Sequence, residues 1–121
     1  MLGALVLVGG FLGGGAQEEA LSGFCYSDNT QDRIYFSEVF QTRAGWKDVA
    51  NLFDGFLKQT YGYVSTSGHK SVCMMLNDAK GAEASKQKLL QDYAEEQKRV
   101  VEARWKPSAD QEKALTEPKK P

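Results

Sequence analysis

Histidine is all but missing from this chain, which has His69 alone, and cysteine is scarce, with only Cys25 and Cys73. Any thiol nucleophile or soft-metal site must therefore be assembled from the same few residues. Basic side chains are absent from the start of the chain, the first being Arg33. After residue 16 there is no apolar run of the about 20 residues that a membrane-spanning helix needs, so the processed chain is expected to carry no transmembrane segment. A clustered basic stripe, the footprint of nucleic-acid binding, is also lacking. Between residues 23 and 107, twelve Lys and Arg stand against eleven Asp and Glu. The densest basic groups, Lys86 with Lys88 and Lys98 with Arg99, lie beside acidic residues in the pattern of a solvated helix face, so no nucleic-acid partner is expected.

What is present at the start is MLGALVLVGGFLGGGA, a stretch without a charged side chain. It is too short to span a bilayer, and its glycines weaken a helix. It reads as the apolar part of a secretory signal, with small residues at Gly14 and Ala16 ahead of a cleavage point before Gln17. Residues 1–16 are thus expected to be a signal peptide, 17–22 a short linker and 23–107 a single small domain, periplasmic or secreted. Residues 108–121 hold one leucine, no aromatic residue and two of the three prolines. They are expected to trail as a flexible polar tail, in which a short helix near 110–115 would be marginal alone.

Within the domain, periodicity and turn formers mark six elements. GFCYSDN (23–29) and the Ile-, Tyr-, Phe- and Val-rich RIYFSEVFQ (33–41) read as strands joined by a hairpin loop. WKDVANLFDGFLKQTYG (46–62) carries apolar residues at three- and four-residue spacing and reads as a helix ended by Gly62. Gly55 inside it is expected to mark close packing on a neighbour. KSVCMMLN (70–77) is a third strand. Asp78 caps a helix over 79–99 with a thin apolar face of Ala82, Leu89, Leu90, Tyr93 and Ala94, expected to lie across the sheet edge. VVEARWK (100–106) is a fourth strand. The order β-β-α-β-α-β predicts an α+β two-layer sandwich, a four-stranded mixed sheet with both helices on one face.

Cys25-Tyr26, the run Tyr35-Phe36-Ser37-Glu38-Val39-Phe40, Tyr61-Gly62-Tyr63, Cys73 and Val100-Val101-Glu102 with Trp105 together resemble a group of small exported bacterial proteins of unknown function. The resemblance covers most of residues 23–106 and implies export and a paired cysteine, but no activity. In size and layers the domain is also similar to small peptidoglycan-binding modules of four strands and two helices, with a different element order.

Strand alternation assigns the chemistry. Phe24 and Tyr26, with Ile34, Phe36 and Phe40, are expected to face the helices. Cys25 and Cys73 share the opposite parity, as do Ser71 and Met75. Two cysteines of one parity in an exported chain point to a disulfide. A Cys73 nucleophile would need His69 within reach, yet residues four apart in a strand are separated by ~13 Å. A soft-metal site from Cys25, Cys73, His69, Met74 and Met75 has suitable ligands, but the two methionines point to opposite faces. Glu38 breaks the alternation: either a bulge or a strand end at Ser37 turns it out, or it is a half-buried acid seeking a cation. Tyr35, Tyr63, Met75 and Trp105 would make an apolar patch beside Glu38, open to a partner or covered by the tail or the 63–69 loop. The reading that results is a non-enzymatic binding or structural module of the bacterial envelope, stapled by Cys25–Cys73, with no cofactor, taking an envelope protein or cell-wall ligand. The competing class is a small thiol- or carboxylate-dependent enzyme, or a soft-metal binder, using Cys73 and His69 or Glu38.

Overall fold

A computed structural model describes residues 19–29, 32–63 and 71–117. Its centre is strand β1 (Leu21–Asp28), an aromatic and apolar stretch that pairs on both edges. On one side lie β2 (Arg33–Phe36) and β3 (Phe40–Thr42), both antiparallel to β1. On the other lies β4 (Val72–Leu76), also antiparallel. Strand β5 (Arg99–Glu102) adds to the far side of β2 in parallel. The hairpin between β1 and β2 is closed by Asn29, whose side-chain oxygen accepts from the backbone N–H of Asp32 at 3.1 Å and of Arg33 at 3.0 Å, the Asx geometry that makes asparagine a turn former.

The five strands occupy four positions, because the run expected as one strand over 33–41 is interrupted. Tyr26 pairs with Phe36 and Gly23 with Phe40, so four steps on one strand match three on the other. That single extra residue is a β-bulge. It shifts the alternation by one: Ile34 and Phe36 face one side of the sheet and Phe40 the other. The expectation that all three share a face is corrected for Phe40. Glu38 is exposed at the bulge.

Helix α1 (Trp46–Tyr61) forms where its apolar spacing predicts and buries Val49, Ala50, Phe53 and Leu57. It stops at Gly62, whose φ of 72° is the left-handed value a C-terminal glycine supplies; Gly62 N–H closes on the Lys58 carbonyl and Tyr63 N–H on that of Leu57. Helix α2 (Ala79–Glu95) starts at Asp78, whose carboxylate accepts from Gly81 N–H at 2.7 Å. The class is α+β, but the helices do not share a face. α1 packs with Cys25, Tyr35, Cys73 and Trp105, whereas α2 packs with Phe24, Ile34, Phe36 and Val100. The strand order explains this. The β3–α1–β4 crossover runs across the sheet one way and β4–α2–β5 runs back the other way. Crossovers of one hand that run in opposite directions place their helices on opposite faces. The sheet is therefore sandwiched between α1 and α2, and α2 covers a face rather than an edge.

The segment expected to trail as a tail carries a third helix, α3 (Ala109–Thr116). Ser108 and Gln111 make a capping box at its start, a signature present in the residues SADQ. Glu112 then anchors it: one carboxylate oxygen accepts from the Thr42 hydroxyl at 2.5 Å, the other from Arg43 N–H at 2.8 Å. Leu115 rests against the α1-side core.

The glycines of β1 and α1 differ in kind. A Cβ on Gly23 would lie 2.5 Å from the Met74 carbonyl oxygen and 2.5 Å from Met75 Sδ, so β4 approaches closely only because position 23 is bare. A Cβ on Gly55 would meet nothing within 4 Å, which corrects the expectation of close packing there. Gly23→Ala should cost about 1–3 kcal/mol as overpacking against rigid backbone. Gly55→Ala should stabilise by about 0.5–1 kcal/mol through helix propensity. Urea denaturation of the two variants checks the pair; equal effects would contradict this packing.

Candidate functional site

The chemistry-bearing residues converge on the middle of β1. Cys25 and Cys73 sit directly opposite each other and form a disulfide, with Cα atoms 3.9 Å apart. Both are buried. The Cys25 backbone looks the other way: its N–H donates to Ser37 Oγ at 2.8 Å and its carbonyl accepts from Ser37 N–H at 2.8 Å. The N–H and C=O of one strand residue point to the same side, so Cys25 and Cys73 occupy a non-hydrogen-bonded rung, where opposed residues come nearest. The disulfide was expected on a bare face of the sheet. It lies instead under α1, in one cluster with Ala50, Phe53 and Leu57.

Ser37 holds the bulge together. Besides accepting from Cys25, its hydroxyl donates to the Glu38 carbonyl at 2.8 Å, and Glu38 N–H donates to the Trp105 carbonyl at 2.9 Å. Glu38 is thus the turned-out residue of the bulge, not a buried acid. Its bulge ties β1 to the 103–105 segment, where Ala103 N–H also reaches the Phe36 carbonyl at 2.8 Å.

Tyr35, Tyr63, Met75 and Trp105 do gather on one face, as alternation predicts, but α1 covers them. Tyr35 and Trp105 are buried, while Met75 and Tyr63 are half-buried. Tyr35 stacks on Tyr63 with ring centroids 5.3 Å apart and leans on Tyr61 at 5.1 Å. Trp105 meets Phe40 edge-on at 6.3 Å and packs on Phe53 at 5.2 Å and Phe56 at 6.0 Å. Phe56 in turn meets Tyr61 at 6.3 Å, which joins the two groups. Such offset and edge contacts add to simple area burial. Tyr63 is fixed by its hydroxyl, which accepts from Ser27 at 3.1 Å and donates to the Asp28 carbonyl at 3.2 Å. Tyr61, 41% exposed, carries this cluster furthest into solvent; it belongs to the α1 stripe and to the Tyr61-Gly62-Tyr63 motif but lies outside the patch that alternation predicts.

On the α2 side, Lys98 pairs with Asp28 at 2.7 Å and Lys86 with Glu102 at 3.0 Å. Burial pushes the Tyr93 phenol above its ordinary value, and the Asp28 carboxylate adds to the effect. Ser71 donates to the Asp54 carboxylate. Met74 and Met75 point to opposite faces. Among the described residues, no three His, Cys, Asp or Glu side chains are grouped to hold a metal ion, and His69 lies outside the described residues. Comparison of the chain with protein-family profiles, with characterised proteins and with solved structures found no match, so the likeness to small exported proteins rests on the quoted motifs alone.

The bulge separates the two neighbours at its centre. Ser37→Ala removes the hydroxyl that accepts from the buried Cys25 N–H and should cost about 1–3 kcal/mol. Glu38→Gln changes an exposed side chain and should stay within about 0.5 kcal/mol. Denaturant midpoints of both variants check this; a larger loss for Glu38→Gln would contradict the bulge.

Proposed function

We propose that this protein is an exported, non-catalytic binding or structural module of the bacterial envelope, held together by Cys25–Cys73. The observation that carries the reading is the disulfide in the middle of the sheet, buried under α1. A bond so placed belongs to a protein that folds in an oxidising compartment. The apolar first sixteen residues, with Gly14 and Ala16 before Gln17, supply the matching route there. A non-catalytic role is supported by the fate of the reactive groups. Both thiols of the chain are joined to each other, which leaves Cys73 no thiolate for a nucleophile or a soft-metal ligand. Glu38 stands in solvent, with its backbone spent on the bulge. The surface left for an envelope protein or a cell-wall ligand is then a rigid, covalently braced one, suited to recognition without a moving part.

Fractionation of expressing cells with intact-mass analysis tests this. The protein should appear in the periplasmic or secreted fraction with a mass that begins at or near Gln17. Its two cysteines should titrate only after unfolding in the presence of a reductant. A cytoplasmic species that retains Met1 and shows titratable thiols would overturn the proposal.

A further inference from the structure

The first residues of β2 and β5 place two arginines side by side. Arg33 and Arg99 are directly opposed in the parallel pairing of the two strands, so their side chains leave the same face of the sheet. That face is the α1 side, because Tyr35 and Val101, two residues further on, both join the α1-side core. The pair therefore sits just beyond the ring group of Tyr35, Tyr61 and Tyr63. Arg99 is exposed, and the Arg33 side chain is 44% exposed.

Among the described residues, this double charge is poorly answered. The nearest carboxylate is that of Asp32, whose Oδ2 lies 3.9 Å from Arg33 Nε, too far for a hydrogen bond. Its Oδ1 accepts instead from Asn29 Nδ2 at 3.2 Å. Arg33 Nε is left buried without an acceptor, the one such side-chain atom among the described residues. The Arg99 backbone N–H donates to the Asp32 carbonyl at 2.7 Å, but its guanidinium has no ion pair among the described residues. Residues 30–31 and 64–70 contain no Asp or Glu, so they bring no carboxylate either. Lys86, Lys88, Lys98 and Lys113, by contrast, each have an acidic partner. Like charges directly opposed on neighbouring strands destabilise a sheet, and a bound anion removes that repulsion.

We propose that Arg33 and Arg99 together form a binding site for a phosphate group, either free or carried as a monoester. One guanidinium fork already matches both oxygens of a carboxylate. A phosphate has a further oxygen for the second fork, and as a monoester its charge of about −1.5 to −2 near neutral pH matches two cations. The planar, rigid fork of arginine suits this recognition better than the point charge of a lysine. Tyr61, 41% exposed in the same ring group, offers the body of a larger ligand an aromatic surface. The site uses neither the disulfide nor the first sixteen residues. Its failure leaves the export reading untouched, and the failure of that reading leaves the site standing.

Titration of the oxidised full-length protein with inorganic phosphate tests it, read through the arginine Nε–H resonances of an isotope-labelled sample at constant ionic strength. The signals of Arg33 and Arg99 should shift together and saturate with a dissociation constant of about 1 mM, the range of a weak small ligand. Acetate and chloride should leave them in place. Phenyl phosphate is the second probe: tighter binding than inorganic phosphate assigns the group to a larger ligand, and equal binding assigns free phosphate; both sustain the site. Arg99→Gln should weaken phosphate binding by about tenfold or more. Because it removes the repulsion, it should also melt no lower than the native protein in phosphate-free buffer. The proposal is overturned by no shift up to about 50 mM phosphate, by an equal shift with acetate, or by unchanged binding in Arg99→Gln. A variant that melts lower or fails to fold overturns it too, since Arg99 is then answered within the fold.

Discussion

Cys25 is gripped from both sides, and the rest of the fold is arranged around that grip. Its backbone is committed to Ser37 at the bulge, so it has no hydrogen bond to give β4. At that rung the link to β4 is the covalent one, through Cys73. The bulge that takes up the backbone also turns Phe40 to the α1 side, where it meets Trp105, and draws the 103–105 segment alongside through Glu38 and Phe36. A single extra residue in one strand thus decides which aromatics form the α1-side core. The disulfide fixes the strand that closes that core on its far side.

Splitting so short a chain into three layers leaves each half-core thin. The α1 side compensates with rings: Phe40, Phe53, Phe56, Tyr35, Tyr61, Tyr63 and Trp105 form one connected set. The α2 side relies on Phe24, Phe36, Tyr26 and Tyr93, with Lys86 of α2 paired to Glu102 of β5. A covalent tie in the shared central strand serves both layers at once.

Much of this was legible in the residues. The apolar spacing of 46–62, its glycine stop, the Asp78 cap and the equal parity of the two cysteines all led to the observed elements and to the disulfide. The break of alternation at Glu38 signalled the bulge, although local pattern could not say that Phe40 would change sides as a result. The placement of the helices was misjudged for a topological reason. Two crossovers of one hand share a face only if they advance in the same direction, and the direction depends on strand order, which periodicity does not encode. That one error moved the disulfide and Tyr35, Tyr63, Met75 and Trp105 from a covered face to an open one, and with them the expected binding patch. The short helix that the tail's residues allow near 110–115, marginal alone, forms with the Ser108–Gln111 capping box at its start. Glu112, an ordinary surface residue in sequence, gained its role only once Thr42 and Arg43 were placed beside it.

The cross-strand disulfide beneath α1 supplies a large part of the stability margin. Closing a loop with a sequence separation of 48 restricts the unfolded chain by about 4 kcal/mol in the entropy treatment, against ~5–8 kcal/mol expected for a domain of this size. The most direct measurement is the melting midpoint of the oxidised protein beside that of the Cys25→Ala, Cys73→Ala double variant, with the native protein refolded under reductant as a control for the substitutions. A loss of this size corresponds to a fall of well over ~10 °C, shared by the variant and the reduced protein. A double variant that melts within about 3 °C of the oxidised protein, a shift worth less than ~1 kcal/mol, would contradict the account.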